Sequence, residues 1–77
     1  MYPLVHRQAV TLKRMVSSRE VLKKLKEDGW TVVRVRGSHS QLHHPTKEGI
    51  VTVKHPVKDF PIGTIRSMER QSGIKLL

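Results

Sequence analysis

Five histidines, at positions 6, 39, 43, 44 and 55, are the residues of this chain best suited to moving protons near neutral pH. There is no cysteine, so thiolate nucleophiles, disulfides and thiolate metal sites are excluded. Three of the histidines fall in one short stretch, Gly37-Ser38-His39-Ser40-Gln41-Leu42-His43-His44. Metal binding is the first chemistry such a cluster brings to mind. On an extended strand, however, His43 and His44 point to opposite faces, and His39 and His43 share a face but stand far apart. Few carboxylates lie nearby, so no metal site is expected. A serine hydrolase would need a serine, a histidine base and an orienting acid, and no such arrangement is visible.

His39 has different company. Arg34 and Arg36 precede it closely and Lys54 follows on a later strand. A histidine beside fixed positive charge suits cleavage of RNA, which carries its own nucleophile in the 2′-hydroxyl. The reaction needs a base for that hydroxyl, a proton for the leaving 5′ oxygen and positive charge for the crowded phosphorane. On spacing alone, an idle surface histidine is the commoner outcome for such a residue. Ser38 either hydrogen-bonds a phosphate or stabilises the turn. His55, before Pro56 at a strand end, reads as a structural histidine. Lys23, Lys24 and Lys26 read as a solvated helix face or as part of a cationic binding surface.

The elements that must position His39 follow from periodicity. Ser17-Ser18-Arg19-Glu20 reads as a capping box, with Val16 and Val21 as its hydrophobic staple. Val21, Leu22 and Leu25 form an apolar stripe, and Gly29 ends the helix. Trp30 to Arg36 alternates as a strand, with Thr31, Val33 and Val35 on one face and Trp30, Val32, Arg34 and Arg36 on the other. Gly37 allows a tight turn. Ser38 to His44 forms a second strand, with Ser40, Leu42 and His44 opposite His39, Gln41 and His43. Pro45 to Gly49 is a turn, and Ile50 to His55 a third strand, with Val51 and Val53 opposite Thr52 and Lys54. Asp59 is a candidate cap for a second helix over Phe60 to Gln71, with Ile62, Ile65 and Met68 as its buried stripe. Gly63 in that helix suggests a close approach of the backbone. Gly73 stops it, and Ile74, Leu76 and Leu77 fold back onto the core.

The order helix, three strands, helix predicts an α+β layer with an antiparallel sheet and both helices on one face. The other face is open to solvent. Leu42 faces the helices, so His39 faces outward. If Val33 and Val35 are core, Arg34 and Arg36 share the open face with it.

Composition bounds the partners. The 77 residues make one domain with a formal charge of +9, from 15 Lys and Arg against 6 Asp and Glu. Such an excess attracts polyanions, nucleic acid being the commonest. The basic residues are spread along the chain, which favours a folded cationic surface over a disordered arm. No stretch is long and apolar enough to span a bilayer, and the N-terminus lacks the apolar core of a signal peptide. A cytoplasmic protein is expected.

Residues 15–77 resemble the HicA family of bacterial toxins, small mRNA interferases. The matching features are Asp28-Gly29-Trp30, Val33-Arg34-Val35-Arg36, Gly37-Ser38-His39, His44-Pro45, Val51-Thr52-Val53, His55-Pro56, Lys58-Asp59 and Gly63-Thr64-Ile65-Arg66-Ser67-Met68. The resemblance implies a double-stranded-RNA-binding-domain-like fold and endoribonucleolytic cleavage of mRNA. It implies that His39 is the essential catalytic residue, and that a HicB antitoxin covers the active site in a type II toxin–antitoxin system. Many members carry a second histidine where Ser40 stands, and an aromatic where Leu42 stands. Residues 1–14 match no family feature and are expected to be either an extension ahead of a start at Met15 or a genuine, loosely ordered N-terminal arm.

The expectation is therefore a metal-independent endoribonuclease toxin without a cofactor and without a membrane role. His39 is its catalytic residue. Arg34, Arg36 and Lys54 are its RNA contacts, assigned from strand geometry, with Ser38 at the turn as a further candidate contact. The alternative is a non-catalytic RNA-binding module of the same fold.

Overall fold

The first helix, α1 (Ser18–Glu27), begins at Ser17. In the computed structural model, which describes residues 14–77, the Ser17 hydroxyl accepts the Glu20 backbone N–H at 3.2 Å. That satisfies one of the donors a first turn leaves without an intrahelical partner. The other half of the expected capping box gives way to charge. The Glu20 carboxylate is engaged by Arg14 and, at 3.5 Å, by Lys24, and cations compete well against a backbone N–H. Val16 and Val21 are both fully buried, as a staple requires. The helix ends at Gly29, whose φ of 108° favours glycine. A Cβ there would also stand 2.9 Å from His44 Nε2.

Apart from Arg14, the expected extension over residues 1–14 lies outside the described residues, as does His6.

Three antiparallel strands follow: β1 (Thr31–Arg36), β2 (His39–His43) and β3 (Val51–Lys54), with β2 central. Gly37 and Ser38 form the two-residue turn between Arg36 and its partner His39, with Gly37 at φ 56°. In β2 and β3, Ser40, Leu42, Val51 and Val53 are buried while His39, His43, Thr52 and Lys54 are exposed. Both helices therefore lie on one face.

β1 departs from simple alternation. Val32 pairs with Leu42 and Arg34 with Gln41, so Val33 is an extra residue in a bulge. The bulge reverses the parity of the strand at that point. Val32 turns to the core, where it is partly buried, and Val33 is 56% exposed. Val35 is 62% exposed although it pairs with the buried Ser40. The helices pack chiefly on β3, leaving β1 with little cover. The conditional placing of Val33 and Val35 in the core is thus corrected, as is the face that Val32 was expected to share with Arg34 and Arg36. Trp30 is 1% exposed, part of a core that includes Leu25, Leu42, Ile65 and Leu76.

The second helix is α2 (Ile62–Ser72). Asp59 does not cap it. The Pro61 carbonyl accepts from Thr64 and Ile65 at 3.0 and 3.1 Å, which starts the helix two residues later. Asp59 instead accepts the Val16 N–H at 3.3 Å, joining the approaches to the two helices. Ile65, Met68 and Ser72 make the buried stripe. Ile62 opens the helix with no earlier turn to shield it and is 52% exposed. Gly63 has open space where a side chain would go, not a close neighbour. Gly73 ends the helix in the left-handed conformation. Leu76 is fully buried and Ile74 partly, but Leu77, the last residue, stays exposed.

Glu69 holds this tail. Its carboxylate accepts the Leu76 and Leu77 backbone N–H groups at 2.8 and 3.2 Å, and Arg66 donates to it at 2.8 Å. These contacts, the Leu76 N–H foremost, lower the Glu69 pKa from 4.5 to about 2. A depressed carboxyl stabilises the fold above its unfolded-state pKa, and that contribution is lost as pH falls toward the folded value. The melting temperature is therefore expected to fall between pH 4.5 and about 2, and Glu69→Gln should show a shallower fall. Thermal melts of both proteins across that range check this; parallel curves would contradict it.

Candidate functional site on the open face of the sheet

The open face is built from alternate residues of three short strands. His39 is the first residue of the central strand, so it has a partner on each side. Arg36 pairs with it from β1 and Lys54 from β3. Directly opposed strand residues share a face, with Cβ atoms about 4.5–5.5 Å apart. One step along, Gln41 lies between Arg34 and Thr52. Arg34, Arg36, His39 and Lys54 are all exposed. The structure thus brings Arg34 and Arg36 to the histidine's face, though through the Val33 bulge and not through a core made of Val33 and Val35.

The charge on this face is of one sign. No Asp or Glu occurs in the three strands. Among the described residues no carboxylate forms a salt bridge with Arg34, Arg36 or Lys54, whereas Arg14, Lys24, Lys47 and Arg66 each have one. The three open-face cations are therefore free to meet an external anion, and their summed positive potential raises its local concentration.

The Gly37-Ser38 turn is anchored from β3. The His55 backbone N–H donates to the Ser38 carbonyl at 2.7 Å, which fixes the chain entering His39. Ser38 is half-buried at this turn and adjoins the face at its edge. The His39 ring makes no hydrogen bond within the described residues and is exposed. An imidazole so placed can exchange a proton with a bound molecule.

The other described histidines are placed elsewhere. His43 shares the open face but stands about 13 Å along the strand from His39, at about 3.3 Å per residue. His44 lies on the opposite side as an internal strut. Its Nδ1 accepts backbone N–H groups from Thr46 and Lys47, each at 3.1 Å, so Nε2 carries the proton and donates to the Asp28 carbonyl at 2.7 Å. Its ring meets Trp30 edge-on, with centroids 5.2 Å apart. Beside it Lys47 reaches the Asp28 carboxylate at 2.6 Å and the Ser72 carbonyl at 3.0 Å, linking the C-terminal ends of the two helices. The Lys47 hydrogen bond holds the Asp28 pKa below its usual value. His55 Nδ1 is hydrogen-bonded to the buried Ser18 hydroxyl at 2.7 Å.

Among the described residues no group of three or more His, Cys, Asp or Glu side chains is close enough to hold a metal ion. Nor is any helix among them long and apolar enough to cross a membrane. Gln41 and Thr52 were not singled out from sequence. Their signal is only strand alternation combined with a register that sequence does not give.

Comparison with known proteins agrees with this architecture. No curated protein matches the chain. A solved structure described as a HicA3 and HicB3 toxin-antitoxin complex contains a chain 34% identical to this one. The similarity covers 79% of this chain and 98% of that one, with a TM-score of 0.68. The helix–three-strand–helix order is thus the HicA fold, an α+β arrangement like that of double-stranded-RNA-binding domains. The family model for the HicA toxin of bacterial toxin–antitoxin systems matches residues 18–74. On that match, over most of its described length, the chain belongs to the HicA toxin family.

Proposed function

We propose that this toxin is an endoribonuclease that cleaves mRNA in the cytoplasm, with His39 as its proton-transfer residue. The observation that carries the reading is the position of His39. It is flanked by Arg36 and Lys54 on a face without a carboxylate. Arg34, Arg36 and Lys54 bind the phosphates, and Ser38 contributes a hydroxyl at the edge of the face. His39 takes the proton from a 2′-hydroxyl as the 2′ oxygen bonds to the adjacent phosphorus. The bond from phosphorus to the 5′ oxygen breaks, and that oxygen takes a proton from solvent. Arg36 and Lys54 offset the charge that accumulates on the phosphorane. The products are a 2′,3′-cyclic phosphate and a 5′-hydroxyl.

A reaction independent of metal suits this donor set, since among the described residues no cluster of potential ligands surrounds His39. A HicB-type antitoxin covering the open face would neutralise the toxin, by analogy with the complex that the 34% identical chain forms. The test is cleavage of a labelled mRNA in EDTA by nuclease-free protein freed of any partner. Shortened RNA with cyclic-phosphate ends is expected, and His43→Ala should cut at the wild-type rate. Protein that binds RNA with salt-dependent affinity but never shortens it would favour a non-catalytic RNA-binding module. A requirement for added divalent cation would contradict the proposed chemistry.

A further inference from the structure

Outside the open face, cations without a carboxylate partner among the described residues gather along α1. Arg19, Lys23 and Lys26 recur at spacings of four and three, the period of one helix face, and all three are exposed. Lys24, one position away, is tied instead to Glu20 at 3.5 Å. Together with Leu22, Glu27 and His55, the three cations line a shallow groove. A second depression continues from it past Arg19 and His55 to Lys58. Among the described residues, Glu27 is the only acid lining either depression.

His55 connects the groove to the open face. It directly follows Lys54, and by strand alternation the two side chains point to opposite sides of the sheet. The His55 backbone N–H holds the Ser38 carbonyl at 2.7 Å, next to His39. The ring is fixed through Nδ1 by the Ser18 hydroxyl, which also accepts the Val57 N–H at 2.8 Å. That leaves His55 Nε2 on the groove side without a partner among the described residues. The sheet end at Ser38 and His55 is thus a crossing between two cationic surfaces.

We propose that the α1 groove is a second RNA phosphodiester-binding site. It takes the strand that flanks the phosphate at His39 and makes affinity depend on substrate length. The proposal rests on the RNA-cleaving reading of the open face. Its test separates the two, because binding is measured without cleavage, in the His39→Ala background. Two single-stranded RNAs serve as probes: a short one spanning only the open face and a long one able to pass the sheet end. In that background, Lys23→Ala with Lys26→Ala should weaken binding of the long RNA roughly tenfold. The slope of log affinity against log salt should flatten by about 1.4, for two single-strand contacts at about 0.7 each. Binding of the short RNA should not change, and in the His39 parent the same pair should leave kcat at saturating RNA unaltered. Alanine is a strong helix former, so the substituted helix should keep its stability.

Arg70→Ala with Lys75→Ala removes the same charge elsewhere and should leave both RNAs bound as before. Equal losses in the two double variants would reduce the effect to net charge and overturn the proposal. Unchanged affinity for the long RNA would overturn it as well. Weakened binding of the antitoxin with intact RNA affinity would assign the groove to a protein partner, which also overturns it. Failure of the wild type to cleave would sink the catalytic reading and leave the binding comparison interpretable.

Discussion

Alanine in place of His39 is expected to slow RNA cleavage by about 10²–10⁴-fold, the usual contribution of a positioned general acid or base. Cells expressing the variant should grow where wild-type toxin arrests them. The loss should be catalytic and not structural. His39 is exposed and makes no hydrogen bond within the described residues, so the melting temperature should hardly move. RNA affinity should also persist, because Arg34, Arg36 and Lys54 remain on the same face. Rates and binding constants measured on one preparation check this separation. A variant that loses binding and cleavage together would make His39 a contact residue and not a proton-transfer residue.

Trp30→Ala should have the largest effect on stability, about 3–5 kcal/mol. The indole is 1% exposed and packs edge-on against His44, whose ring in turn braces the Asp28 carbonyl at the end of α1. Removing it leaves a cavity and unseats that strut. A domain of 77 residues has a total stability of about 4–12 kcal/mol at the usual value per residue. The variant should therefore be largely unfolded at the lower end of that range. Denaturant titration of wild type and variant measures the difference. A cost below about 1 kcal/mol would show that Trp30 is not a core residue. His39→Ala would lower toxicity in a folded protein, and Trp30→Ala only as far as it unfolds the chain.

The features legible in the sequence are those set by local chemistry. Ser17 caps α1, and Gly29 and Gly73 end the two helices, because each depends on a hydroxyl or a backbone angle within a few residues. The outward direction of His39 follows from that of Leu42 by strand alternation alone. The features that escaped are set by distant partners. The bulge at Val33 arises from pairing with β2, and alternation carried through it places Val33 in the core and Val32 outside. Arg34 and Arg36 still reach the face of His39, because they lie on the far side of the bulge. Asp59 has the chemistry of a cap but accepts from Val16, 43 residues away in sequence. The bond from Ser18 to His55 spans 37 residues, and with it the link between α1 and the sheet end. The outward placement of His39 was thus readable from its own strand, while its neighbours across the sheet depended on register.

The central claim is that His39 transfers the proton in a metal-independent cleavage of RNA. Its most direct measurement uses wild type and His39→Ala, purified identically, incubated in EDTA with a labelled RNA and with the same sequence lacking 2′-hydroxyls. The account predicts that only the wild type cuts, that it cuts only the RNA bearing 2′-hydroxyls, and that the new ends are cyclic phosphates. Cleavage by His39→Ala at the wild-type rate, or cleavage of the 2′-deoxy strand, would contradict it.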